Sequence, residues 1–146
     1  MIEIRKISSS DAAGAFQAMA IREAVFVREQ GVDPLLEHDA YESVSHHYLA
    51  LLDGSPVGTA RWRKTANGIK LERFAVLTGY RNQGIGEKLL RQVMNDACNE
   101  GHQLYLHAQL RAVPFYERAG FSKEGDLFYE AGLAHYRMTR SCSHQP

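Results

Sequence analysis

The stretch Leu71–Glu87, LERFAVLTGYRNQGIGE, decides how this chain folds. It opens as an alternation, with Leu71, Arg73 and Ala75 on one side and Glu72, Phe74 and Val76 on the other, which is the period of a strand. Thr78, Gly79 and Tyr80 interrupt it, and Arg81-Asn82-Gln83-Gly84-Ile85-Gly86 follow. Glu87, Lys88, Leu89, Leu90, Arg91, Gln92, Val93 and Met94 then read as a helix. A strand that passes through a glycine-bearing turn into a helix forms an anion site. The first N–H groups of the helix have no internal acceptor, and the dipole adds partial positive charge there. Gly84 and Gly86 carry no Cβ to hold a ligand away from the main chain, and Arg81 and Lys88 add full positive charge. The guest suited to this turn is a phosphate or pyrophosphate; the bland reading is a turn and nothing more. Two phosphate motifs are excluded. Gly86-Glu87-Lys88-Leu89 lacks the Gly-Lys-Ser/Thr of a P-loop, and the third glycine of a dinucleotide fingerprint is missing.

Upstream, Ile2, Ile4 and Ile7 make an opening strand, and Ser8-Ser9-Ser10-Asp11 offer capping oxygens. The helix that follows carries Ala15, Phe16, Met19, Ala20, Glu23, Phe26 and Val27 and fades near Gln30-Gly31. Val32–Ser45 is an acidic loop with a short helical turn, stopped at Asp33-Pro34. His47–Leu52 and Val57–Lys64 read as strands joined by the turn Asp53-Gly54-Ser55-Pro56. Downstream, Gln103–Gln109 is a strand, and Val113–Ala119 a short helix capped by Gly120. Phe121–Glu124 and His135–Thr139 close the fold as paired strands. The sum is α/β with a mixed sheet, antiparallel hairpins first and one parallel strand–helix–strand unit at the centre.

At 146 residues this is one domain, read as residues 1–140 with 141–146 as a flexible C-terminal tail. A formal net charge of +0 excludes a broad basic face for nucleic acid. No apolar run is long enough to span a bilayer or act as a signal peptide, so a cytoplasmic protein is expected. Cys98 and Cys142 stand far apart, in a helix and in the tail. They read as neither a metal spacing nor a disulfide framework, which points to a reducing compartment. His46 and His47, as strand neighbours, face opposite ways and cannot share an ion, so no metal is expected.

Two motifs in order carry a resemblance. Arg81-Asn82-Gln83-Gly84-Ile85-Gly86 after one strand, and Ala112, Phe115, Tyr116, Glu117, Arg118, Ala119, Gly120 and Phe121 after the next, resemble the GNAT superfamily of N-acetyltransferases. Arg22 with Val25–Gln30, Asp39, Ala108-Gln109 and Gly132–Met138 are similar to its small bacterial ElaA-type branch. Two positions depart: Gln109 stands where many members have asparagine, and Ala134 where the branch has proline.

The resemblance implies a GNAT-type fold with splayed central strands and acetyl-coenzyme A as co-substrate. Its pantetheine arm would pair with the backbone of Phe74, Ala75 and Val76. Its pyrophosphate would rest on the N–H groups of Asn82, Gln83, Gly84, Ile85, Gly86 and Glu87, near Arg81 and Lys88, with Gln109 and Phe115 beside the arm. Tyr116 matches the family's general acid; the bland alternative is a packed core ring. Glu72 is a candidate base or a partner for Arg61, Arg63 or Arg73. His135 is the other candidate base, with a ring suited to proton transfer near neutrality. Arg22, Phe26, Glu29 and Asp39 would line the acceptor pocket, with His47 at its border. Carboxylates there favour a cationic amine of a small molecule or peptide. A non-catalytic acyl-coenzyme A-binding module is the competing reading. The acceptor, the acyl length, the base and the choice between monomer and homodimer stay open at this point.

Overall fold

The computed structural model describes residues 1–142. Its strands are β1 (Ile2–Ile7), β2 (His46–Leu52), β3 (Ser55–Thr65), β4 (Gly68–Val76), β5 (Gln103–Gln109), β6 (Ser122–Lys123), β7 (Phe128–Glu130) and β8 (Leu133–Ser141). They form one sheet in the order β1-β2-β3-β4-β5-β8-β6, with β7 also paired to β8. All neighbours run antiparallel except β4 and β5. The helices are α1 (Ala12–Arg22), α2 (Pro34–Glu37), α3 (Ile85–Cys98) and α4 (Val113–Arg118).

Two apolar layers cover the two faces of the sheet. On one, Ala18 and Ile21 of α1 and Val25 just beyond it pack on Leu49, Leu51 and Ala75. On the other, Ile85, Leu89, Leu90, Val93 and Ala97 of α3 pack on Tyr48, Ala50, Ala60 and Trp62, joined by Val113 and Tyr116 of α4. The i, i+4, i+5, i+8 spacing of the α3 residues puts them on one stripe. Asp11 caps α1 by accepting from the Gly14 N–H at 2.8 Å.

Three features of the backbone depart from the sequence reading. The first helix continues past Arg22 as a π-helical segment, Glu23–Glu29, with Gln30 N–H donating to Val25 O five residues back. This wider turn breaks the 3.6-residue period on which Arg22, Phe26 and Glu29 were expected to share a face. In β4, Arg73 has φ +59°, and the β3–β4 register slips between Thr59 and Arg61. Two residues of β4 oppose one of β3 there, a β-bulge that inverts the alternation. Leu71, Phe74 and Val76 therefore face α3, while Ala75 faces α1 and Glu72 lies on that second side, paired with Arg61. The expected grouping of Glu72 with Phe74 and Val76 is thus overturned. Finally, between the two closing strands read from the sequence, residues 125–134 contain β7 and its hairpin to β8, turned by Ala131 and Gly132 at φ +53° and +78°.

The cysteine reading also fails. Cys98, at the end of α3, and Cys142, just after β8, form a disulfide with Cα atoms 5.5 Å apart. Their 44-residue separation in sequence misled, because β5 lies between α3 and β8 and brings both ends together. They no longer argue for a reducing compartment. Ser141 belongs to β8 and Cys142 donates its N–H to His102 O, so the tail expected over 141–146 does not begin at Ser141. Residues 143–146 lie outside the described residues. Among the described residues no helix is long and apolar enough to cross a membrane.

Candidate active site

β4 and β5 pair over only two positions, Ile69 with Leu104 and Lys70 with Tyr105, and then part. Beyond Lys70, the β5-facing backbone of β4 has no partner in β5, so a buried strand is left with main-chain groups to satisfy. The gap opens into a cavity of about 870 Å³ whose lining includes Phe26, Glu72, Phe74, Ala75, Val76, Gln109, Tyr116 and His135. A second cavity of about 410 Å³ adjoins it on the α3 side, lined by Val76, Arg81, Asn82, Gly84, Ile85, Gly86 and Glu87. Phe115 and Tyr116 of α4 belong to both.

The start of α3 has the features expected of an anion cradle. Gly84, at φ +82°, is its N-cap, and no side chain caps it. Among the described residues no acceptor meets the N–H groups of Asn82 to Glu87; the first bond is Lys88 N–H to Gly84 O. A Cβ added at Gly84 would meet nothing within 4 Å, so open space lies in front of the turn. Gln83 and Lys88 lie outside both linings. The Arg81 guanidinium does not point freely into the cradle. It donates from Nε to Val76 O at 2.8 Å and from both Nη atoms to Glu29 at 2.6 and 2.7 Å. Those hydrogen bonds hold the Glu29 carboxyl below its ordinary value. Glu29 therefore positions the Arg81 turn and does not line the large cavity.

Tyr116 is buried edge-on against Phe74, Phe115 and Phe121. Its hydroxyl has no hydrogen-bond partner among the described residues, and burial pushes its pKa up from the usual tyrosine value. A phenol in this setting stays protonated and has an unspent donor, which is what proton donation requires.

Glu72 is held by three cations. Arg61 Nε donates to it at 2.7 Å and Arg63 Nε at 3.0 Å, and Lys70 Nζ lies 3.4 Å away. Burial alone would raise this carboxyl, but Arg61, Lys70 and Arg63 outweigh it and hold it low. A carboxylate so stabilised is a poor proton acceptor. The ion-pair alternative describes it, with Lys70 in the place expected of Arg73.

The network continues through the acidic loop. Arg61 also bonds Asp39 and Glu42, and Arg73 bonds Glu37 at 3.1 Å and Asp39 at 3.1 Å. Arg22, 1% exposed, donates to Glu37 at 2.7 Å. Its Nη1 lies 2.7 Å from Glu42 without pointing an N–H at it. Burial would raise Asp39, but Arg61 and the Tyr41 N–H bring it below its ordinary value. Phe26 and Asp39 line the large cavity; Arg22 and His47 do not. His47 donates from Nε2 to Glu42 O at 2.8 Å and so anchors the loop instead.

On the opposite wall His135 is 7% exposed, stacks on Phe128, and donates from Nδ1 to Leu133 O at 2.8 Å. A carbonyl only accepts, so Nδ1 carries a proton, and in the neutral ring the lone pair is then on Nε2. Beside it, His107 bonds Glu130 at 3.1 Å and draws that carboxyl down to about 2. Gln109 donates to Gln30 Oε1 at 2.8 Å and bridges β5 to the end of the π-helical segment. Sequence reasoning missed Lys70, His107 and Glu130 as site residues; the i, i+2 spacing of Lys70 to Glu72 on β4 was the one available signal. Among the described residues no group of three or more His, Cys, Asp or Glu is placed to hold a metal.

This geometry coincides with a family match. Residues 10–142 fit the model of the acetyltransferase (GNAT) domain. The chain belongs to the GNAT acetyltransferase family. It is 36% identical over 125 residues to the uncharacterised N-acetyltransferase YjcF of Bacillus subtilis, across 84% of this chain and 89% of that one. Among solved structures, Escherichia coli ElaA superposes with a TM-score of 0.85 at 25% identity, over 96% of this chain and 99% of ElaA. An aminoglycoside 6'-N-acetyltransferase complexed with coenzyme A superposes with a TM-score of 0.77 over 99% of both chains. At 13% identity that GNAT structure shares the fold alone.

Proposed function

We propose that this GNAT chain transfers an acetyl group from acetyl-coenzyme A directly to a primary amine, without a covalent enzyme intermediate. The observation that carries this reading is the free Tyr116 hydroxyl beside the opening where β4 leaves β5. The residues present fit coenzyme A: unpaired β4 backbone offers amide partners for an extended arm, and the uncapped N–H groups of Asn82–Glu87, with open space at Gly84, suit a diphosphate. The neighbour solved with coenzyme A has the same fold, which supports the same guest.

When bound, acetyl-coenzyme A supplies the activated acyl group; the chain's own residues handle the protons. His135 Nε2, with its lone pair turned from the Leu133 carbonyl, takes the proton of the attacking amine. Tyr116 supplies a proton on the α4 side, where its hydroxyl has no competing partner. Glu72 acts indirectly, by fixing Arg61, Arg63 and Lys70.

The test is thiol release from acetyl-coenzyme A across a panel of amines, with coenzyme A binding followed by calorimetry. Turnover with at least one amine and saturable binding are expected. Thermal stabilisation by coenzyme A with no turnover on any amine would leave the binding-module reading standing.

A further inference from the structure

The acidic loop invites the idea of a cationic acceptor, but its carboxylates are already taken. Glu37, Asp39, Glu42 and Glu72 each contact at least two cationic side chains. Five cations meet these four anions (Arg22, Arg61, Arg63, Lys70 and Arg73), and Glu130, which lines the same cavity, is bonded to His107. A polyamine entering here would find each of these carboxylates already bonded.

Two facing residues of this network keep unspent donors. Arg63 and Lys70 are directly opposed in the β3–β4 register, and both line the large cavity. Arg63 uses Nε on Glu72 and lies over the Tyr41 ring, and among the described residues neither Nη group has an acceptor. The Lys70 ammonium is 3.4 Å from Glu72 and makes no directed hydrogen bond among the described residues. Their side chains are 14% and 15% exposed, so water competes weakly for these donors. A guanidinium fork beside an ammonium suits a carboxylate. Six residues of strand separate Lys70 from Val76, roughly 20 Å at 3.3 Å per residue, so the diphosphate end of the cofactor does not reach this pair. Arg63, Lys70 and His135 all line this one cavity, which puts the anion grip and the proposed base around the same space.

We infer that the acceptor is an amine bearing its own carboxylate, which Lys70 and Arg63 hold while the amine faces His135. This rests on the acetyltransferase reading above.

The experiment uses the full-length protein and matched pairs of amines, each a short peptide or amino acid with a free carboxylate beside its carboxamide twin, together with spermidine. Thiol release is followed for all of them. The carboxylate member should lead its twin in kcat/KM by about ten- to hundredfold, the value of one or two charge-assisted hydrogen bonds. Lys70→Gln should collapse that ratio through KM, and Lys70→Arg should restore part of it. Arg63→Gln gives the same readout should Lys70→Gln fail to fold. Equal use of carboxamide and carboxylate, preference for spermidine, or a ratio unmoved in both glutamine variants would overturn the inference while leaving the enzyme reading intact. No thiol release with any amine would sink both together.

Discussion

Replacing Tyr116 with phenylalanine isolates one atom. The ring is buried against Phe74, Phe115 and Phe121, and all three edge contacts survive the change. The hydroxyl has no hydrogen-bond partner among the described residues, so no buried acceptor is orphaned by its removal. Folding stability should therefore move by no more than about 0.5 kcal/mol. Coenzyme A affinity should hold as well, since the backbone of Asn82–Glu87 is untouched. What is lost is a proton donor in a low-dielectric site, and general acid catalysis contributes about 10²–10⁴-fold. Tyr116→Phe should lower kcat by that factor. The assay pairs single-turnover acetyl transfer with calorimetric binding of coenzyme A and a urea melt of the same preparation. A kcat within about threefold of the parent removes Tyr116 from the chemistry. A large loss of stability would instead make it a core residue. The pH profile gives an independent check. Burial raises this hydroxyl above the usual tyrosine pKa of about 10, so it remains protonated through that pH. An alkaline limb in kcat well below pH ~10 must then come from another group.

Four further perturbations separate the remaining parts. Glu72→Gln should cost about 3–5 kcal/mol in chemical denaturation, because it strips charge from a nearly buried carboxylate and leaves Arg61 under-compensated. Gly84→Ala should lose about 1 kcal/mol from its left-handed φ and should weaken coenzyme A binding, read by calorimetry, because its Cβ enters the open space before the turn. Reduction of the Cys98–Cys142 disulfide should cost up to about 4 kcal/mol from chain entropy over 44 residues, seen as a Tm lowered by roughly 8–16 °C with reductant. Acid should act through Asp39, Glu72 and Glu130, whose folded pKa values all lie below their ordinary ones. Their contribution is full above about pH 4.5 and falls as pH drops through the folded values, near 2 for Glu130. Thermal melts between those limits should show Glu130→Gln with a shallower decline.

The legible part of the chain was local and periodic. The stripe of α3, the Asp53-Gly54 hairpin and the turn at Gly84 announce themselves because side-chain spacing or a left-handed residue determines the backbone directly. The illegible part depended on distant partners. Nothing near Cys98 signals Cys142, and three-residue β7 is too short to show a period. The pairing of the loop was illegible for the same reason: Glu37, Asp39 and Glu42 look like an acidic patch until β3 and β4 deliver Arg61 and Arg73 to them.

Arg73 shows why such a site resists reading from pattern. A left-handed arginine costs roughly 1–2 kcal/mol, and here its guanidinium reaches Glu37 and Asp39 to offset that cost. The resulting bulge has two effects. It turns Glu72 toward Arg61, into the charged network, and it leaves Phe74 and Val76 on the α3 side, where Phe74 meets Tyr116 edge-on. An unbulged β4 would put Glu72 on the same face as Phe74, toward Tyr116 and away from its cations. The strain at one residue thus keeps the charged network and the apolar side chains facing α3 on separate faces of a single strand. Arg73→Gly would relieve the φ penalty but remove the tie to the loop. It should therefore leave β4 bulged, loosen Glu37 and Asp39, and raise acceptor KM well before it disturbs coenzyme A binding.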